Sequence, residues 1–303
     1  MLLRKRFSLR NPFFRNCTTA PLVPFTQLGT IDTARSVRFF YPSAGGDVEA
    51  YLSRPRGEGP FPLVVLLHGH SFVGRGAEQL LSTVQAFAAA DCFASLAISL
   101  PGYGSTKLPP GSVVELTHQV VKDGVCAARQ LSWINGHELM LFGVSRGAIV
   151  AAAMLNEVEG VRGAVLYSGA YDLGVLYRET RSFWVRKILH SQGAANPKLI
   201  KLLGEASKWR VPTLILHGAR DKVIPVSQAL LLSERLKAAG APHRTVVYPD
   251  HGHFLPRAKI REESLNFLKQ TFAAACPAGD SQANSPSASH LPTLSLISTP
   301  GTS

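Results

Sequence analysis

The stretch Leu139-Met140-Leu141-Phe142-Gly143-Val144-Ser145-Arg146-Gly147-Ala148-Ile149-Val150-Ala151-Ala152-Ala153-Met154 decides the fold. An apolar run of strand length, 139–144, passes through Gly143-Val144-Ser145-Arg146-Gly147 into an apolar helical stretch over 146–158. Gly-x-Ser-x-Gly between a strand and a helix describes a very sharp turn. Side chains at 143 and 147 would strike neighbouring backbone, while Ser145 is pushed out above the sheet edge. A serine there also feels the positive end of the helix dipole, which favours an anion developing beside it. An ordinary Gly-Ser turn capping a helix has the same letters. The strand before it and the buried helix after it separate the two.

Working outward, further continuous apolar runs lie at 61–67, 93–100, 163–168, 213–217 and 244–248, each too short for a helix. Parallel strands covered on both faces have this composition. Helical patterns separate them at about 77–90, 112–132, 226–239 and 260–274. Ahead of these, Val37, Phe39 and Tyr41 alternate with polar residues, as do Val48, Ala50 and Leu52. Ser43-Ala44-Gly45-Gly46-Asp47 between them reads as a hairpin turn. The expected class is α/β: one mostly parallel twisted sheet with helices on both faces and an N-terminal antiparallel hairpin. In such sheets chemistry belongs beyond the carboxyl ends of the strands. The long connection 174–210, with Tyr177, Phe183, Trp184 and Trp209, reads as a short helical cap.

Ser145 is a poor nucleophile without a base, and the base needs an acid to orient it. Past the run 213–217, Asp221 falls in Gly218-Ala219-Arg220-Asp221 before the next helix. Past 244–248 comes Pro249-Asp250-His251-Gly252-His253-Phe254. Serine, aspartate and histidine thus each follow a strand end. Two rivals stand beside them. His251 competes with His253 as the base, and in an extended segment the two would point the same way. Asp172, after the sixth strand, competes with Asp221, or else caps the helix that enters the cap.

In these residues and their order the chain resembles the α/β-hydrolase superfamily, and within it the prolyl-oligopeptidase-like and dienelactone-hydrolase-like serine hydrolases. The matching motifs are His68-Gly69-His70-Ser71 after the third strand and Pro101-Gly102-Tyr103-Gly104-Ser105 after the fourth. Gly143 to Gly147, the Asp221 segment and the His251–Phe254 segment complete the set, which spans about 36–273. The resemblance implies hydrolysis of an ester, thioester or amide through an acyl-enzyme and does not fix the substrate; no cofactor is expected, and the small cap with its aromatic residues points to a small or medium acyl substrate. It favours Ser145 as nucleophile, His253 as base and Asp221 as acid. The backbone N–H groups of Arg146 and His70 are the expected oxyanion donors. A carboxylic ester is the first expectation for the substrate, with peptide or thioester cleavage as alternatives. A catalytically silent binding protein is the remaining one.

The 303 residues carry a formal net charge of +12 from 32 Lys and Arg against 20 Asp and Glu. The basic excess is dispersed and no recognition motif accompanies it, so no specific nucleic-acid partner is expected. No stretch of eighteen uncharged apolar residues exists, so no transmembrane segment is expected. Residues 1–30 are basic and free of acid, and read as a leader; 276–303 read as a Ser/Pro/Thr-rich tail; the domain between is 31–275. Cys17, Cys92, Cys126 and Cys276 show no paired spacing. Cys92 and Cys126 read as small buried hydrophobes, which favours a reducing, cytoplasmic compartment, with a mitochondrial one as the alternative from the leader. The pairs His68/His70 and His251/His253 invite a metal, but no third ligand accompanies them and the glycines suit the hydrolase turns, so no metal is expected. Arg75, Lys107, Arg146, Arg178 and Arg181 would favour an acidic substrate if several faced the pocket. Phe72, Tyr103, Tyr171, Phe183 and Trp184 either line an acyl pocket or pack the cap. Nothing in the sequence sets an oligomeric state.

Overall fold

The computed structural model describes residues 22–31, 36–108, 113–191 and 206–273. Residues 1–21 of the expected leader, the expected tail and 192–205 of the expected cap lie outside them. Alternating apolar and polar residues make β1 (Ser36–Ser43) and β2 (Gly46–Ser53) an antiparallel hairpin, in register from Ser36↔Ser53 to Ser43↔Gly46. Its two turn residues, Ala44 and Gly45, have φ of 50° and 79°. That mirror-image turn matches the twist of the flanking strands.

The apolar runs form β3 (Phe61–Leu67), β4 (Ala94–Ile98), β5 (Ile134–Val144), β6 (Val161–Tyr167), β7 (Thr213–Gly218) and β8 (His243–Tyr248). The sheet has the order β1-β2-β4-β3-β5-β6-β7-β8. β2 pairs antiparallel with β4, and every pairing from β4 to β8 is parallel. The described α-helices are α1 (Leu81–Ala88), α2 (Val113–Arg129), α3 (Arg146–Met154), α4 (Leu173–Glu179), α5 (Phe183–Ser191), α6 (Ser227–Ala238) and α7 (Arg257–Thr271), and a 3-10 helix, Phe25–Thr30, at the end of the expected leader buries Leu28 in the core.

Strand alternation divides the core into two layers. Leu63, Val65, Leu67, Leu139, Leu141 and Ile215 face α2, α3 and α6. Val64, Leu66, Met140, Phe142, Leu214 and Leu216 face α1 and α7. All seven residues of β3 are buried, which is why its sequence shows no polar alternation. Each such Leu or Val contributes roughly 1.5–3 kcal/mol of burial.

Several boundaries differ from expectation. β5 begins at Ile134, because polar Asn135-Gly136-His137-Glu138 continues the strand across a register shift at Leu139/Met140. The expected helix over 77–90 is a 3-10 turn, Ala77–Leu80, followed by α1. There the Ala77 N–H is taken by Ser99 Oγ and the Gly76 N–H by Glu78 Oε2, so local side-chain bonds compete with a regular first turn. Trp209 is 1% exposed and packs in the main core, not in a cap. Tyr171 is likewise core, so it lines no acyl pocket. Cys126 is exposed and free, and Cys92 is half-buried and disulfide-bonded. Both outcomes correct the reading of these cysteines as small buried hydrophobes. Among the described residues no helix is long and apolar enough to cross a membrane.

Candidate active site

The turn between β5 and α3 carries Ser145 at φ 52° and ψ −112°. A non-glycine residue in that region is strained by about 1–3 kcal/mol. The strain is held by packing that only glycine allows. A Cβ on Gly143 would lie 2.3 Å from the Gly147 carbonyl oxygen, and one on Gly147 would lie 2.0 Å from that of Leu67. The Ser145 N–H is tied to the Tyr167 carbonyl at 2.7 Å, so neighbouring β6 fixes the turn's height above the sheet.

His253 and Asp221 meet this serine from the ends of β8 and β7. His253 Nε2 lies 3.1 Å from Ser145 Oγ, and His253 Nδ1 lies 2.7 Å from Asp221 Oδ2. Since the carboxylate only accepts, the imidazole proton sits on Nδ1 and leaves Nε2 to accept from the serine hydroxyl. Asp221 Oδ1 takes the N–H groups of Val223 (2.8 Å) and Ile224 (2.9 Å). Burial pushes the Asp221 carboxyl up, but hydrogen bonds from His217, His253 and Ile224 together with the nearby His253 charge outweigh it and hold the group well below the usual carboxylate range. The arrangement can move the serine proton onto an imidazole whose resulting charge faces an ionised acid.

The rivals lie elsewhere. Asp172 Oδ1 accepts from the Val175 N–H at 2.8 Å and caps α4. His251 stacks edge-on against Tyr248, with ring centroids 6.0 Å apart. His253 reaches Ser145 and Asp221 while the His251 ring packs on Tyr248, so the two histidines do not share partners as the expected common direction would have it.

Beside the serine runs the loop after β3. A Cβ on Gly69 would be in ordinary contact with Ser145 Cβ, at 3.4 Å. Among the described residues, no acceptor takes the backbone N–H of His70 or of Arg146. His68 holds this loop from behind. Its Nε2 accepts from the Leu100 N–H at 3.0 Å, so the proton is on Nδ1, 2.7 Å from the Gly69 carbonyl oxygen. Burial is the main reason its imidazole is pushed down to about 4, with the Arg146 charge adding to it and the Gly69 bond opposing. Next to it, Tyr103 meets His70 Nδ1 at 2.5 Å and receives Arg146 Nη1 at 3.2 Å. The Tyr103 loop is anchored in turn by buried Glu49, whose Oε2 takes the Ser105 N–H (2.9 Å) and Ser99 Oγ (2.8 Å) while Arg38 pairs with its Oε1 at 2.6 Å.

Supporting residues invisible to motif reading also appear. Tyr167 and Ser168 hydroxyls, both 3.2 Å from the His253 carbonyl oxygen, pin the histidine loop. His217 Nε2 donates to the Ile224 carbonyl at 2.8 Å and lies 3.4 Å from Asp221 Oδ2. The nearest sequence signal was His217-Gly218 at a strand end. Around the mouth stand exposed rings: Phe254 (85% exposed) beside His253, and Phe72 (73%) against both His70 and Trp184 of α5. Of the basic residues named from sequence, Arg75 pairs with Glu78 at 3.6 Å. Arg178 and Arg181 line a hollow of about 520 Å³ beside α4 and α5 whose lining does not include Ser145. Only Arg146 adjoins the serine. Among the described residues no three His, Cys, Asp or Glu side chains gather as a metal site.

Comparison with known proteins agrees with this architecture. The Pyrococcus horikoshii acylaminoacyl peptidase superposes with a TM-score of 0.66 at 15% identity, over 84% of this chain and 44% of that one. An uncharacterized peptidase of Bacillus subtilis, YtmA, is 27% identical over 139 residues, 42% of this chain and 52% of the relative. The human acylamino-acid-releasing enzyme is 25% identical over 253 residues, 73% of this chain and 33% of its own length. The chain therefore spans about half or less of these curated relatives. The model of the prolyl oligopeptidase family matches residues 115–275, a stretch that holds Ser145, Asp221 and His253. With more than half of its length matched and an α/β-hydrolase fold beneath it, the chain belongs to the prolyl oligopeptidase family of serine hydrolases.

Proposed function

We propose that this serine hydrolase is a peptidase that cleaves an amide bond in a small acylated or peptide substrate through an acyl-enzyme. Ester cleavage, the first expectation from sequence, is then a secondary capacity of the same machinery. The preference for the peptide reading rests on the family and on the peptidases among the relatives. The single observation that carries the mechanism is the continuous path from Asp221 through His253 to Ser145, with steps of 2.7 and 3.1 Å.

Ser145 Oγ attacks the carbonyl carbon as its proton passes to His253 Nε2. Asp221 keeps the imidazole in the accepting tautomer and faces the charge that forms. The backbone N–H groups of His70 and Arg146 receive the oxyanion, each donor worth about 10²- to 10³-fold in rate. His253 then protonates the leaving amine, and water repeats the sequence to release the acid. Labelling by a fluorophosphonate probe and turnover of an aminoacyl-nitroanilide panel test the proposal. The wild type is expected to do both and Ser145→Ala neither. A folded wild type that resists the probe, or a Ser145→Ala variant that still turns over, overturns it.

A further inference from the structure

Arg146 directly follows Ser145, and its side chain is held by Tyr103 through a hydrogen bond and a ring contact. Nη1 donates to the Tyr103 hydroxyl at 3.2 Å, and the guanidinium lies over the Tyr103 ring, 5.4 Å from its centroid. Tyr103 is itself buried, touches His70, and sits in the loop that Glu49 anchors. A Cβ at Gly104 would fall 2.0 Å from Glu49 Oε2, so the loop has one way to pack. An arginine restrained in this manner has already lost much of the side-chain freedom that ligand binding would otherwise cost.

Its charge is not matched. Among the described residues Arg146 has no carboxylate partner, whereas Arg38, Arg56, Arg75, Arg220 and Arg244 all have one. Apart from the bond to Tyr103, its guanidinium N–H groups meet no acceptor among those residues. The carboxylate nearest the nucleophile, Asp221, is fully engaged by His253, His217, Val223 and Ile224. Glu49 is saturated by Arg38, Ser99 and the Ser105 N–H. A planar cation with no carboxylate partner among the described residues therefore stands one residue after Ser145, joined through Tyr103 to the His70 loop that runs beside the serine.

We propose that Arg146 is a specificity-determining residue, and that the preferred substrate carries a carboxylate within one side-chain length of the scissile carbonyl. The inference rests on the acyl-enzyme reading above and adds the substrate's charge to it. A carboxylate set against the free edge of the guanidinium makes the paired N–H···O contacts that suit arginine better than lysine. It can stand on the acyl side, as in the half-amide or half-ester of a dicarboxylic acid, or on the leaving side, as the free C-terminus of a short peptide.

Two substrate pairs at pH 7.5 distinguish these sources. On the acyl side, the p-nitrophenyl half-ester of glutaric acid is compared with p-nitrophenyl valerate. On the leaving side, an N-acetyl dipeptide with a free carboxylate is compared with its C-terminal amide. The expected wild-type preference is about 10- to 100-fold in kcat/KM for the acidic member of one pair. In Arg146→Gln that ratio falls to within about threefold of unity, and Arg146→Lys retains part of it. A ratio cancels any loss of activity common to both members of a pair. The preference also shrinks as salt is raised, since an open site is screened. Lack of preference in both pairs, or a preference that survives in Arg146→Gln, overturns the inference. Fluorophosphonate labelling of the same wild-type preparation tells this failure apart from failure of the hydrolase reading, because the probe reports Ser145 whatever the substrate's charge.

Discussion

Replacing Asp221 by asparagine probes the site with almost no change of shape. Asp221 Oδ1 accepts two backbone N–H groups, from Val223 and Ile224. An amide nitrogen cannot accept them, so in Asp221→Asn the amide oxygen keeps that side and the NH2 is turned toward His253 Nδ1, 2.7 Å away in the wild type. Facing a donor, Nδ1 gives up its proton and the imidazole takes the tautomer protonated at Nε2. That nitrogen, 3.1 Å from Ser145 Oγ, can then no longer accept the serine proton. The same exchange in a serine protease lowers kcat about 10⁴-fold, which at about 1.36 kcal/mol per tenfold is about 5.5 kcal/mol of barrier. The expected result is a loss of that order in kcat. A modest fall in stability, about 1–3 kcal/mol, accompanies it because the new NH2 also faces His217 Nε2–H, 3.4 Å from that carboxylate oxygen. Steady-state kinetics on a nitroanilide substrate, with urea unfolding alongside, measures both. A folded variant that loses less than tenfold in kcat refutes the reasoning and moves the acid elsewhere, with Asp172 the first residue to test.

Alanine at His251 should leave kcat/KM within about threefold, since that ring packs on Tyr248, whereas alanine at His253 should cost about 10⁴-fold or more; parallel kinetics of the two variants checks it. Gly147→Ala is expected to destabilise by more than about 2 kcal/mol, because the added Cβ falls 2.0 Å from the Leu67 carbonyl oxygen and neither backbone can yield; denaturant melts read it. His68 is neutral in the folded protein, with its imidazole lowered mainly by burial to about 4. Its contribution to stability is complete above the ordinary histidine value near 6.5 and is lost progressively as pH falls from there toward 4. Urea midpoints measured across that window should decline in the wild type, and decline less in His68→Gln.

Much of this molecule was legible in one dimension. The apolar runs marked β3 to β7 because strands buried on both faces have nowhere to place a polar residue, whereas β8, at the sheet edge, buries only Tyr248. Where a strand leaves the core the signal fades: polar Asn135-Gly136-His137-Glu138 carries no apolar run, yet it lies in the first part of β5. Trp209 looked like part of a cap because it lies in the long connection between strands, yet its indole is in the main core. The same gap hid Cys92 and Cys126, whose neighbours in sequence are apolar but whose own positions are half-buried and exposed. Glu49, Tyr167, Ser168 and His217 carry no motif at all. They matter through what they touch: Glu49, Tyr167 and Ser168 reach residues remote in the chain, and His217 reaches Asp221 and Ile224 across the turn that follows its own strand.

By itself the sequence determined the sharp strand–serine–helix turn, the wound parallel sheet, and the set of polar side chains eligible to meet above it. These follow from sterics and burial, which act between near neighbours or on whole faces of an element. Only the tertiary structure shows that His253 and not His251 lies within hydrogen-bond reach of Ser145, that Asp221 and not Asp172 meets that imidazole, and that the arginine after Ser145 has no carboxylate partner among the described residues. A hydrogen bond between residues 108 positions apart depends on how several loops close together over the sheet edge, and no local pattern records that closure.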